Sequence, residues 1–384
     1  MPVYLDCAAT TPVDPPVSDE VLRVLNEECG NAGSRTHEAG RRMRAIVERA
    51  RAQVAALLAA SRGDVVFTSG ATESNNLAVL GLAEAGAATG RRHIISTQIE
   101  HPSVLEPLRV LARRGFEVEL IGPDASGVVP ASEIAGAVRT DTLLVSVMHV
   151  NNETGMVQPV EAVAEALAGR AALLHVDAAQ TFGGVPLVPL HHPRIDLISI
   201  SGHKMHAPQG VGALVTRRRD GARPPLTPLL FGGGQERGLR SGTVPVHLVA
   251  GLGVAATLTL EHYAARSARA ERFRTQLLEG LAPLAPALLG DAAHAAPHIV
   301  SLAFPGCMAE DVIEAWRDLA AVSHGAACSS HAQTCSHVLQ AMRRPAWQQD
   351  GAIRLSWSHA TPLPDVAGLV RALQSTRPTA ECRS

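Results

Sequence analysis

TLLVSVMHV (142–150), ALLHVDA (172–178) and DLISIS (196–201) are continuous apolar runs rich in Val, Ile and Leu, and each gives way to polar residues: NNETG, AQ and GHK. A strand covered on both faces reads as an unbroken apolar run, the pattern of a parallel sheet packed between helices. Working outward, VVFTS (65–69), HIISTQ (93–98) and FEVELIG (116–122) precede these runs, and GVGALVT (210–216) follows them. Between them SNNLAVLGLAEAG, PSVLEPLRVLARRG and PVEAVAEALAG have a helix-like composition. The alternation predicts an α/β fold whose large domain holds a mainly parallel, seven-stranded sheet.

At 384 residues the chain exceeds what one core usually organises, so a smaller second domain is expected. The loop-rich stretch PPLTPLLFGGGQERGLRSGTVP (224–245) and the helical region after it mark the change. The large domain is expected over 15–255, and the small α/β domain over 1–14 together with 256–384. In the latter a strand (HIVSLAF), a helix (AEDVIEAWRDLA), a small-residue loop (SHGAACSSHAQ), a helix (SHVLQAM), a strand (AIRLSWS) and a last helix (LPDVAGLVRALQ) follow one another.

Composition narrows the function. Hydrophobic residues at 46% and charged ones at 18% describe a globular chain. A formal charge of -2 leaves no global footprint for nucleic acid or an anionic membrane, so no direct nucleic-acid partner is expected. The apolar run Leu248–Leu260 has 13 residues, short of the roughly 18 of a bilayer span. The opening MPVYLDCAATTP lacks the basic and apolar regions of a secretory signal. No membrane association and a cytoplasmic location are the expectation. Six cysteines, at 7, 29, 307, 328, 335 and 382, include no CxxC pair, so singly acting thiols and no metal site are expected. GLGVAA (251–256) matches a dinucleotide fingerprint but sits in a helical stretch with no strand before it, and is rejected. Arg217–Arg219 read as a solvated face.

Of 34 basic residues, Lys204 is the only lysine. A GC-rich genome accounts for the arginine bias but not for the one amine that remains, and a primary amine can form a Schiff base where a guanidinium cannot. Ligands of open α/β sheets sit beyond the carboxyl ends of the strands, and here those ends carry Thr72, His101, Asn152, Asp177, Gln180, Ser201, His203 and Lys204. Ser69, Gly70 and Thr72 at a strand-to-helix turn suit a phosphate or a plain helix cap. Asp177, at the end of an apolar strand, needs a cationic partner: a structural ion pair or a ligand's ring nitrogen. His101 either caps its helix or stacks on a ring. With the lone lysine, the set fits pyridoxal 5'-phosphate, which needs a Schiff-base lysine, an acid for its ring nitrogen and a phosphate cup.

VFTSGATESNNLA, IEHPSVL, LVSVMHVNNETGMVQP, HVDAAQ, SISGHKMHAPQGVGAL, FGGGQERGLRSGT and HGAACSS resemble the cysteine desulfurases, a branch of the class V aminotransferase-like, fold-type I pyridoxal-phosphate enzymes. The resemblance runs from YLDCAATTPVD to the strand holding Arg354. It implies that Lys204 binds the cofactor covalently, that His101 stacks on the ring and helps deprotonate the substrate thiol, that Asp177 pairs with the ring nitrogen and that Gln180 pairs with the phenolic oxygen. Thr72, Ser201 and His203 would hold the phosphate, joined by Thr243 from the other subunit of a homodimer. Asn152 and Arg354 match the residues that bind the substrate carboxylate, a task suited to a bidentate fork. Cys328, in a loop of small residues with His324 and His331 nearby, matches the cysteine that forms the persulfide. The implied reaction converts L-cysteine to L-alanine, with sulfur passing to Cys328 and then to an acceptor protein for iron-sulfur cluster assembly, tRNA thiolation or DNA phosphorothioation. GNAGSRTHEAG resembles desulfurases that feed the last of these.

The chain departs from the family at Cys7, where a polar or aromatic residue is common, at Cys335, often Pro, and at SWSHATP, which differs from the SLGRFT type. Cys335 reads as a helix-start residue, with a second sulfur site or a partner of Cys328 as the alternatives; Cys7, Cys29, Cys307 and Cys382 read as inert. The alternatives are a selenocysteine lyase or a class V aminotransferase, in which Cys328 is dispensable for at least one activity, and a catalytically idle scaffold for sulfur-carrier or iron-sulfur proteins.

Overall fold

The computed structural model describes residues 1–325 and 336–376; Cys328, His331, Cys335 and Cys382 lie outside the described residues. After a short strand β1 (Val3–Tyr4), the central sheet is built from β2 (Val65–Thr68), β3 (His93–Thr97), β4 (Glu117–Ile121), β5 (Thr142–Met148), β6 (Leu173–Asp177), β7 (Leu197–Ser201) and β8 (Gly212–Thr216). Its order is β2-β8-β7-β6-β5-β3-β4, with β8 antiparallel to both neighbours and the other pairs parallel. All seven expected strands are present. Every residue of β5 is buried, as a central strand requires, whereas β4, at the edge, is mostly exposed.

Helices α1 (Pro15–Glu27), α2 (Glu38–Leu57), α3 (Ala71–Leu80), α4 (Ala83–Thr89), α5 (Pro102–Arg113), α6 (Ala131–Ala137) and α7 (Val160–Ala166) precede or separate the strands, and α8 (Val246–Leu281) follows them. Successive strand residues point to opposite faces. Ile94, Leu144, Leu197 and Leu214 accordingly pack with Leu77, Val104 and Leu108 of α3 and α5. Their neighbours Ile95, Val145, Ile198 and Val215 pack with α2 and the first half of α8.

A second core surrounds β9 (Ala287–Leu288), β10 (Ile299–Ala303), β11 (Ala320–Ala321), β12 (Ser323–His324) and β13 (Ala352–Ser356). Four of these strands form an antiparallel sheet in the order β12-β13-β10-β9, and β11 pairs in parallel with β1. Helices α9 (Ala309–Trp316), α10 (His337–Ala341), α11 (Ala346–Asp350) and α12 (Val366–Thr376) complete the region.

The 36-residue α8 links the two cores: Val249, Leu252 and Ala256 lie in the first, Phe273, Leu277 and Leu281 in the second. The 13-residue run read from sequence is thus part of a helix long and apolar enough, by length and composition, to cross a membrane, but here Val249, Leu252 and Ala256 pack in one protein core and Phe273, Leu277 and Leu281 in another, while Leu260 is exposed. GLGVAA lies within α8. A Cβ on Gly253 would come within 2.7 Å of Ala50 Cα, and one on Gly251 within 2.6 Å of Val21 Cγ2, so these glycines let helices approach. The arginine run also differs from its expectation as a solvated face. Arg217 is buried and donates to the carbonyls of Leu58, Leu190, His192 and Ile195, and Arg219 bonds Asp196; only Arg218 is half-exposed.

Candidate active site

The carboxyl ends of the parallel strands open on a cavity of about 380 Å³, lined among others by Thr72, His101, Asn152, Asp177, Gln180, Ser201, His203 and Lys204. A cavity of this size is in the range of cofactor sites. One wall is the turn from β2 into α3. Its N-cap, Gly70, has φ 155° and there is no side-chain cap, which leaves the first N–H groups of the helix for an anionic ligand. Gly212 packs behind this turn: a Cβ there would lie 2.5 Å from the Ile200 carbonyl and 2.6 Å from Gly70 Cα. The facing wall is the short 3-10 turn Gly202–Lys204 at the end of β7. The N-terminal segment clasps it, with the Thr11 N–H (2.8 Å) and Oγ1 (3.0 Å) both donating to the His203 carbonyl.

Asp177, at the end of β6, is 4% exposed. Its Oδ2 accepts from Asn75 Nδ2 at 2.7 Å and its Oδ1 from the Ala179 N–H at 2.9 Å. Asn75 also donates to Ser103 Oγ at 2.8 Å. Gln180 Nε2 donates to the Ala8 carbonyl at 2.9 Å, with its second amide hydrogen left for a ligand. His101 caps α5, with Nδ1 accepting from the Ser103 N–H at 3.1 Å, and it also lines the cavity. Burial pushes its pKa down to about 4, against the pull of Asp177, so the ring is neutral at pH 7. Burial, with Lys204 beside it, likewise pushes His203 down to about 4, and His203 Nδ1 is buried without a hydrogen-bond partner. Asn152 is presented by the NNETG turn, which Asn151 organises: its Oδ1 accepts from the Glu153 N–H, the Thr154 N–H and Thr154 Oγ1.

A buried acid, an amine, an uncapped helix start and an orphaned imidazole nitrogen around one cavity form a donor set that fits pyridoxal phosphate: anion donors for the phosphate, a carboxylate for the ring nitrogen and a lysine for the aldehyde. The class-V aminotransferase model matches residues 3–369. The chain belongs to the class-V aminotransferase family. "Cysteine desulfurase IscS" of Escherichia coli K12 is 42% identical over 345 residues, covering 89% of this chain and 84% of that relative. A solved structure described as a NifS-like protein aligns with a TM-score of 0.87 at 35% identity, covering 98% of each chain. DndA from Streptomyces lividans aligns with a TM-score of 0.81 at 49% identity, covering 92% of this chain and 99% of that one.

Within this class-V aminotransferase fold, two expected residues stand apart from the cavity lining. Thr243 is exposed, in the loop after β8. Arg354, on β13, is 1% exposed; its Nη1 donates to the Asn152 carbonyl at 2.9 Å, its Nη2 meets Asp6 Oδ1 at 2.8 Å, and its Nε has no partner. Burial pushes the Cys7 thiol up to about 11, which keeps it protonated and unreactive. Two site residues escaped the sequence reading: Ser103, two residues beyond His101, and Asn75, whose place one helical turn after Thr72 was the available signal. The fold also gathers Asp14, His206 and His359, with ligand atoms within 4.8 Å of one another. Arg266 already donates to Asp14 Oδ2 at 2.6 Å, however. Burial pushes Asp14 up, but His359, His206 and Arg266 outweigh it and hold the carboxyl down to about 2.

Proposed function

We infer that the protein is a pyridoxal-phosphate-dependent cysteine desulfurase. The observation that carries the reading is the convergence of the chain's only lysine with Asp177, Gln180, Thr72, Ser201, His203, His101 and Asn152 around one cavity, in a chain 42% identical to a cysteine desulfurase.

When bound, pyridoxal phosphate supplies a ring that draws electron density from the substrate Cα. Lys204 would hold the cofactor through its amine and, with that amine freed, would move the substrate Cα proton. Asp177, kept oriented by Asn75 and the Ala179 N–H, would hold a proton at the ring nitrogen. Gln180 would donate to the phenolic oxygen, and the α3 start with Thr72, Ser201 and His203 would hold the phosphate. The neutral His101 ring would stack on the cofactor ring, and would take the substrate thiol's proton at Nδ1 only on giving up the Ser103 N–H. Asn152, on the cavity wall, would bind the substrate carboxylate, and Arg354, behind it with both Nη groups engaged, would join it on releasing Asp6 or the Asn152 carbonyl. The Cys328 thiolate attacks the substrate sulfur: an S–S bond forms as the Cβ–S bond breaks, the persulfide stays on Cys328, and the carbon skeleton leaves as alanine after protonation.

The same reading makes the molecule a cytoplasmic homodimer of two-domain subunits, 15–255 and 1–14 with 256–384, that passes sulfur to an acceptor protein. Supporting the dimer, Thr243 is exposed beside a loop whose Phe231 is 80% exposed. GNAGSRTHEAG favours DNA phosphorothioation as the pathway.

Borohydride treatment of the yellow protein, followed by mass mapping, is expected to place the cofactor on Lys204, and L-cysteine to yield equal alanine and sulfide in the presence of a thiol reductant. Keto-acid-dependent amino transfer without sulfide would turn the assignment to an aminotransferase, and a colourless protein to a scaffold.

A further inference from the structure

Glu153, beside Asn152 in the NNETG turn, is 5% exposed, so its carboxylate has little water to fall back on and depends on protein partners. Those partners come from one place. Ser336 Oγ donates to Glu153 Oε2, and His337 Nδ1 lies 3.8 Å from Glu153 Oε1. The same dipeptide reaches the other candidate wall, where His337 Nε2 meets the Glu100 carbonyl, adjacent to His101, at 3.0 Å. Ser336 is committed twice, since its Oγ also accepts from the Leu339 N–H at 3.1 Å as the N-cap of α10. Burial raises the Glu153 pKa, with Ser336, His337 and Arg354 pulling against it.

Ser336 and His337 follow Cys328 by eight and nine residues. They are the first described residues after 326–335, and they are gripped at two points that flank His101 and Asn152. We propose that Glu153 is a positioning residue for sulfur transfer: acting through Ser336 and His337, it fixes where the chain returns from the Cys328-bearing segment relative to His101 and Asn152. The proposal rests on the desulfurase reading. Glu153 touches neither substrate nor cofactor in this role. It holds the chain at Ser336 and His337, eight and nine residues after Cys328, and misplacing a reacting group by an ångström costs on the order of 100-fold in rate.

The test compares holoenzyme carrying Glu153→Ala, Glu153→Gln, Ser336→Ala and the Glu153→Ala/Ser336→Ala pair. Glu153→Ala and Ser336→Ala are each expected to lower sulfide release by roughly 10- to 100-fold, while bound cofactor and the absorbance change on adding L-cysteine stay at wild-type levels. Glu153→Gln, which keeps a carbonyl to accept the Ser336 hydroxyl, should recover much of the rate. The double variant should be no slower than the worse single one, because both remove the same contact. Wild-type sulfide release in Ser336→Ala, or a Glu153→Ala loss that tracks lost cofactor or a lost cysteine-induced absorbance change, overturns the proposal alone. A wild-type holoenzyme that releases no sulfide from cysteine overturns the desulfurase reading and the proposal with it.

Discussion

Asn75 is fully buried and uses its amide to hold Asp177 and Ser103. A hydrogen bond to an ionised group is worth more than one between neutral groups, so Asn75→Ala is expected to weaken cofactor retention roughly 10- to 100-fold. Asn75→Asp should be worse, because it sets a second carboxylate against Asp177. Equilibrium dialysis of the cofactor checks both. Glu100 gives a pH prediction. It is fully buried, its Oε1 accepts from Thr97 Oγ1 and the Met148 N–H, its Oε2 has no partner, and burial raises its pKa from 4.5 to about 8. Over that window the folded state holds the proton that the unfolded state has lost, so the stability contributed by this group is full below pH 4.5 and is lost as the pH rises through 8. Glu100→Gln should flatten that part of the melting temperature versus pH curve; an unchanged slope would show that Glu100 is ionised in the fold.

At the scale of elements, close approach competes with local propensity. Alanine is favoured over glycine in a helix by about 1 kcal/mol, yet a Cβ on Gly253 would meet Ala50 backbone at 2.7 Å. Overpacking against backbone costs about 1–3 kcal/mol, so Gly253→Ala is expected to lower the melting temperature. Arg217 ties the end of α2 to the loops before β7 through four carbonyls. Arg217→Ala takes the guanidinium donors from the Leu58, Leu190 and Ile195 carbonyls, His192 keeping the Ile195 N–H, and should destabilise the protein by about 3 kcal/mol, while cofactor affinity, set at the opposite end of the sheet, stays near wild type. Chemical denaturation and cofactor titration separate the two effects. The central strands were legible because burial on both faces writes an apolar run, and β4, exposed at the edge, because Val118 and Leu120 alternate with Glu117 and Glu119. The arginine run was misjudged because three adjacent cations look alike in sequence, while the fold turns one inward to a cluster of carbonyls and leaves its neighbour outside.

For the whole molecule, α8 is the rigid link between two cores. One alanine inserted between Ala264 and Ala265, both exposed, rotates everything beyond by about 100°. The second core then turns as a body relative to the first, and its contacts with Leu5 and the paired strand β1 are broken. The insertion should abolish cooperative unfolding and sulfide release, whereas Ala264→Gln at the same point should change neither. Retained activity in the insertion variant would show that the two regions work independently of the helical register.

The sequence by itself determined the parallel sheet, the rim on which polar residues collect and the single lysine, because these depend on local pattern: apolar runs, strand ends and a residue type used once. The tertiary structure decided what holds those residues. Asn75 orients Asp177 across 102 positions, Gly212 lets β8 approach the α3 turn, Asp6 engages Arg354 across 348 positions, and Glu153 meets Ser336 across 183. Such contacts leave no periodic trace, since each joins segments distant in sequence that meet only once the chain has folded, the first two within the seven-stranded sheet and its helices.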